Sequence, residues 1–138
     1  LTEGSSGIAP TWITESILFA IHAQQIERFG GAHGILDPTV MHAALARPMH
    51  RWTYDPEADL SDFAAAYLVG FARSQGFNDG NKRTGLATAL VFLRLNGHTL
   101  QAPGPELYAL VMKVAKNQGD DRLVAAYFRS RIVRIEAP

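Results

Sequence analysis

The stretch from Ser74 to Asn96, SQGFNDGNKRTGLATALVFLRLN, gathers side chains that can do chemistry. Asn78, Asp79, Gly80, Asn81, Lys82 and Arg83 fill six consecutive positions, and Thr84 follows. A hydrophobic core has no use for that density of polar and charged groups. Behind them Leu86, Leu90 and Leu93, with Ala87, Ala89 and Phe92, recur at helical spacing. The polar cluster therefore falls where a loop becomes a helix N-terminus. Unpaired backbone N–H groups and the positive end of the helix dipole attract anions there. Lys82 and Arg83 add two full charges to the first turn, where cations are unfavourable for the helix itself. That arrangement makes sense if an anion sits among them. Gly80 lets a backbone N–H approach a bound group closely. Asp79, an acid beside a phosphate cradle, reads as a ligand for a hard cation such as Mg²⁺. The plainer alternative is a capped helix, with Asn81 or Asp79 as N-cap and both cations solvated.

The elements that must position this cluster are also helical. Thr11 or Thr14 caps a first helix to about Arg28, with Trp12, Ile13, Ile17, Leu18, Ile21 and Ile26 apolar and Gly30-Gly31 as the stop. His22 within it has no partner at metal-ligand spacing and reads as a structural histidine rather than a ligand or base. Asp37-Pro38 opens a second helix, Thr39 to about Ala46, which Arg47-Pro48 should end. Residues 49–59, MHRWTYDPEAD, read as irregular, with an extended piece around 50–56 where Trp52 and Tyr54 alternate with polar residues. Asp59 or Ser61 caps a third helix to about Ser74, which delivers the polar loop. Asn96-Gly97 stops the helix that follows, and His98 to Ala102 is a short β-like linker. Two further helices are expected, Glu106 to about Asn117 and one capped by Asp120 or Asp121 and running through about Val133, whose exposed side Arg122, Arg129, Arg131 and Arg134 make basic, a solvated face or else a surface for an acidic partner. The fold class is all-α: one compact domain of about six helices over residues 11–134, packed around the third helix and the one after the polar loop. Residues 1–10 read as a flexible N-terminal segment, in part a cloning scar.

Composition narrows the partners. In 138 residues, 13 basic and 13 acidic side chains give a formal net charge of zero, so no global field favours nucleic acid or an anionic membrane. The case for phosphate binding rests on Lys82 and Arg83 alone. There are no cysteines, hence no disulfides and no thiolate chemistry. No apolar run reaches membrane-spanning length and no signal peptide is evident, so the expected location is the cytoplasm.

The run FNDGNKRTG, followed by a hydrophobic helix ending in RLNG, resembles the signature of the Fic/Doc family. It is closer to the Doc (death-on-curing) branch, HxFxDxNKRT, than to the adenylylating Fic branch, HPFxxGNGR. Phe77, Asp79, Asn81, Lys82, Arg83 and Thr84 match the Doc pattern. Ile21-His22, Phe29 to Gly31, Gly34, Asp37-Pro38, Ala44 to Pro48 and Phe92 to Gly97 follow in family order. The resemblance covers roughly Trp12 to Arg131. One departure matters: Gln75 stands where the family has its catalytic histidine, the general base on the target hydroxyl. Gly76 also replaces the usual proline or aliphatic residue. Glutamine can hydrogen-bond but cannot take up a proton near neutral pH.

The resemblance implies a bacterial toxin of a toxin–antitoxin module, phosphorylating a protein hydroxyl with ATP and Mg²⁺. It implies elongation factor Tu as target and inhibition of translation as outcome. An antitoxin whose disordered C-terminal segment folds into a groove would silence it. The position of Gln75, with Lys82 and Arg83, would be catalytic. Asn78, Gly80, Asn81, Lys82, Arg83 and Thr84 would hold phosphate, and Asp79 the metal. The family's flap, which holds target backbone, would fall in the irregular segment around 50–56. Lys82 in place of glycine goes with a nucleotide turned so that its γ-phosphate is presented. AMP transfer, as in Fic proteins, is the rival chemistry. A catalytically dead module binding nucleotide or antitoxin is the non-enzymatic reading, given Gln75.

Overall fold

In the computed structural model the described residues are 8–135, so the expectation for Leu1 to Gly7 lies outside them. They form six helices: α1 (Glu15–Phe29), α2 (Pro38–Tyr54), α3 (Leu60–Ala72), α4 (Asn81–Leu95), α5 (Gly104–Ala115) and α6 (Asp121–Arg131). A small antiparallel pair joins β1 (His98–Leu100) to β2 (Ile132–Arg134), with His98 opposite Arg134 and Leu100 opposite Ile132. No described helix is long and apolar enough to cross a membrane.

Local chemistry starts most helices. Thr14 accepts from the Ile17 N–H to cap α1, and Asp37 accepts from Thr39 and Val40 N–H at α2. Asp120 accepts from Leu123 N–H at α6. Asp59 and Asp62 form a reciprocal capping box at α3, each side chain taking the other's N–H. A helix start is thus written where a short oxygen-bearing side chain can satisfy a free donor.

The centre is α3. Every residue from Phe63 to Val69 is buried, so the helix is covered on all sides rather than on the single stripe that its spacing predicts. It packs on α4 through glycine. A Cβ on Gly85 would lie 2.9 Å from the Leu68 carbonyl oxygen and 3.2 Å from the Ala72 nitrogen. Backbone cannot move aside as a side chain can, so the two axes sit closer than any other residue allows. Gly85→Ala is expected to lower stability by about 1–3 kcal/mol, read as a fall in melting temperature.

Above this contact an aromatic cluster closes the core. Trp12 stacks on Phe92 at 5.7 Å and meets Phe63 edge-on at 5.4 Å. Tyr67, fully buried, accepts the Ile13 N–H at 3.0 Å, and burial pushes its hydroxyl up to about 12.

Three expectations are corrected. The helix α2 does not end at Pro48 but runs through it to Tyr54, so the segment around 50–56 is not an extended flap. A proline inside a helix loses a hydrogen bond and crowds the preceding turn. Here Pro48 is buried, and Trp52 beyond it packs against Trp12 at 6.5 Å. Arg51 then pairs with Asp55 at 2.7 Å and with Asp62 at 3.6 Å, fastening the last turn to α3. Second, α6 stops at Arg131, and Ile132–Arg134 leave it as a strand. Third, the arginines of α6 are not a uniformly solvated face. Arg129 reaches Asp59 and Asp62 at 3.0 Å each, and Arg131 reaches Glu106 at 3.2 Å.

That clamp makes the α3 start sensitive to acid. Burial works against the Asp59 carboxylate, but hydrogen bonds donated by Arg129 and by the Asp62 N–H outweigh it and hold its pKa below the usual value. A depressed carboxylate pKa contributes stability above the ordinary value and loses it as pH falls through the folded one. The pair is half exposed, so Arg129→Gln should lower stability by less than about 1 kcal/mol at pH 7. The difference should shrink as pH falls below the ordinary carboxylate range and Asp59 takes up its proton. Melting curves of the two proteins against pH check this.

Candidate active site

The loop from Ser74 to Gly80 leaves α3 and enters α4, and it is clamped from two sides. On one side α1 supplies His22, 4% exposed, whose ring stacks on buried Phe77 at 3.9 Å. Its Nε2 lies 2.8 Å from the Asp79 carbonyl oxygen, which can only accept, so the proton sits on Nε2. His22 is therefore the structural histidine its isolation in the sequence predicts. On the other side the segment between α1 and α2 lies along the loop. Leu36 and Asp37 N–H both donate to the Gly76 oxygen, Asn78 N–H donates to the Gly34 oxygen, and Ile35 bridges Phe77. The segment that lies beside the polar loop is thus 34–37, not 50–56. Its Ile35 and Leu36 remain exposed.

Inside the loop, Asn81 closes a ring of its own. Its Oδ1 accepts from Phe77 N–H and its Nδ2 donates to the Phe77 oxygen, both at 3.0 Å. Gly76 packs where a Cβ would be 3.0 Å from the Met41 Cα, which accounts for glycine in place of a larger residue. Gly80, at φ 77°, turns the chain into α4 in the left-handed region that glycine favours.

Neither Asp79 nor Asn81 caps α4; Gly80 holds that position and no side chain accepts from the first turn. The donors left by the missing cap face a cleft of about 640 Å³. Gln75, Asn78, Asp79, Gly80, Asn81, Lys82 and Arg83 all line it. Lys82 is exposed and has no ion-pair partner among the described residues. Arg83 is held at the rim, donating to the Gly30 oxygen at 3.0 Å with its guanidinium 5.3 Å over the Phe29 ring. The Asp79 Oδ2 accepts the Ala32 N–H at 2.7 Å, and Asn78 donates to the His33 oxygen at 3.1 Å.

Thr84 is the exception among the residues expected to hold phosphate. It is fully buried on the face of α4 turned to the core, and its hydroxyl does not reach the cleft. The opposite wall was not foreseen as part of a site: Leu107, Tyr108, Val111 and Met112 of α5, with Leu86 of α4, complete the cleft. The sequence signal for it is the pairing of Leu107-Tyr108 with Val111-Met112 four residues on. That makes an apolar face wider than packing alone requires.

A sequence profile described as the Fic/DOC family matches residues 12–93. The chain belongs to the Fic/Doc family. It is similar to a protein named Protein kinase doc from Escherichia phage P1, with 41% identity over 106 residues, 77% of this chain and 83% of that one. It is also similar to one named Toxin Doc from Mycolicibacterium smegmatis, with 43% identity over 75 residues, 54% of this chain and 58% of that one.

Proposed function

We propose that the cleft binds the polyphosphate of a nucleoside triphosphate, ATP in the first instance, and serves γ-phosphoryl transfer to a protein hydroxyl. The observation that carries this is the uncapped start of α4, with unpaired Lys82 in its first turn, facing the same cleft as Asp79 and Gln75. Free N–H donors at Gly80 and Asn81 would take phosphate oxygens, and Lys82 would offset the charge that builds as the phosphoryl group departs. Arg83 would join by leaving its place over Phe29. The fit to Mg²⁺ rests on the donor set. Asp79 is one carboxylate, and no three His, Asp or Glu side chains converge among the described residues. One carboxylate suits a Mg²⁺ that arrives with the phosphates, since they and water fill its other positions. When bound, the ion would neutralise phosphate charge.

In the transfer, the target oxygen bonds to the γ-phosphorus, the bond from that phosphorus to the bridging oxygen breaks, and ADP leaves. The target's proton goes to a base at position 75 where histidine stands there. With Gln75 this chain binds donor and partner but transfers slowly. Its relatives' names support a toxin, and a toxin of this kind requires a silencing antitoxin. Elongation factor Tu, in the cytoplasm, is the target we would test first.

The test restores the base. Gln75→His with γ-labelled ATP and Mg²⁺ should label the target where the native chain labels it weakly or not at all. Label delivered from the α-position instead would indicate AMP transfer. No label from either chain, with ATP binding intact, would establish a binding module in place of a kinase.

A further inference from the structure

His22 is buried and does not line the cleft, yet its Nε2–H is given to the loop that does. It donates to the Asp79 oxygen at 2.8 Å while its ring stacks on Phe77 at 3.9 Å. That oxygen has a nearer partner by helical rule. The Arg83 N–H lies four residues on, and a bond between them would start α4 one residue earlier. Instead the first bond of α4 runs from the Thr84 N–H to the Gly80 oxygen at 2.8 Å, and the Asp79 oxygen is turned to α1. The direction of this carbonyl decides the direction of a donor. The Asp79–Gly80 peptide is trans. In a flat trans peptide the C=O and N–H of one unit point opposite ways. With the oxygen on His22, the Gly80 N–H points away from α1, and nothing among the described residues accepts from it. Gly80 sits at φ 77°, and glycine takes the opposite sign of φ about as readily. A half-turn of this peptide is therefore open to the backbone. It would withdraw the N–H and put a carbonyl oxygen where an anion should dock.

We infer that His22 is a positioning residue that locks the Asp79–Gly80 peptide with its N–H toward the cleft. The inference rests on the proposed phosphate site and goes beyond it: a side chain of α1 that never meets the ligand sets one of the donors. The Asp79 carboxylate is held separately, by the Ala32 N–H at 2.7 Å, so the lock acts on the backbone donor and not on the candidate metal ligand.

Three replacements in the full chain separate the donor from the packing. His22→Gln keeps an N–H at about the reach of Nε2. His22→Met has the same length and no donor, and His22→Phe keeps a ring on Phe77 and no donor. Calorimetry with Mg²⁺ and inorganic tripolyphosphate should place His22→Gln within about threefold of the native chain and the other two weaker by about tenfold or more, the worth of one hydrogen bond to a charged group. Without ligand, the Gly80 amide resonance should move further in His22→Met and His22→Phe than in His22→Gln. One folded donor-free variant is enough for the comparison, and melting curves identify it. Where neither folds, His22→Gln decides alone, since a loss beyond about tenfold with the donor kept would overturn the lock. If all variants bind as the native chain does, or if affinity follows melting temperature and not the donor, the inference fails while the phosphate site stands. If the native chain does not bind tripolyphosphate, the phosphate site fails and this inference with it.

Discussion

Replacing Gln75 by histidine is expected to raise γ-phosphoryl transfer to a protein hydroxyl by about 10²–10⁴-fold, the usual worth of a positioned general base. The position is ready for one. Gln75 is exposed on the cleft, and the backbone beside it is fixed, since the Gly76 oxygen accepts from both Leu36 and Asp37. What the amide lacks is basicity, not placement. ATP affinity should therefore stay within about twofold, because the proposed phosphate cradle is Gly80 to Lys82 and the base would act on the other reactant. In the Gln75→His variant the rate should rise with pH through about 6.5, as an unperturbed imidazole loses its proton. Equal rates in the two chains would place the base elsewhere. His22 is no substitute, being buried with its Nε2 proton given to the Asp79 carbonyl.

Asp79→Asn, made in that Gln75→His background, should reduce transfer by about a hundredfold or more, in keeping with the several kcal/mol a bound metal contributes to phosphoryl transfer. The substitution is chosen because Asp79 does two things. Its Oδ2 takes the Ala32 N–H, and its charge is what a metal would need. The asparagine oxygen keeps the first and drops the second. Melting temperature should hold, and the difference in ATP affinity between Mg²⁺ and EDTA should disappear. Asp79→Ala removes both, so it should lose stability as well. Gly31 leaves little slack for compensation, since a Cβ there would be 3.0 Å from the Asp79 Cβ. Retained Mg²⁺ dependence in the asparagine variant would mean that Asp79 only pins the loop.

Much of this architecture is legible in the sequence because it is written locally. Thr14, Asp37, Asp59 and Asp120 all cap helices where a short oxygen-bearing side chain precedes an apolar run. The polar run from Asn78 to Arg83 is likewise placed together on one cleft, because a single loop-to-helix junction needs no long-range folding to assemble it. The errors lie where distant partners decide. Pro48 reads as a helix stop, yet Trp52 on Trp12 and Arg51 on Asp62 keep the helix going. The strand Ile132–Arg134 exists because His98–Leu100 lies beside it, which no local pattern states. The stretch at 34–37 is held beside the polar loop by backbone bonds and carries no signature of its own. Thr84 matched a motif but turned inward, since α4 presents that face to the core. Tyr108 and Met112 were not foreseen at the site; the fold brings them onto the cleft that Lys82 also lines.

The central claim is that phosphate oxygens dock on the backbone where α4 begins. Amide chemical shifts, followed while Mg²⁺ and tripolyphosphate are titrated into the isotope-labelled chain, test it most directly. The largest changes should fall on Gly80, Asn81 and Lys82, with smaller ones on Ala32 as Asp79 responds. Saturable changes confined to other helices, or none at these amides at millimolar ligand, would contradict it.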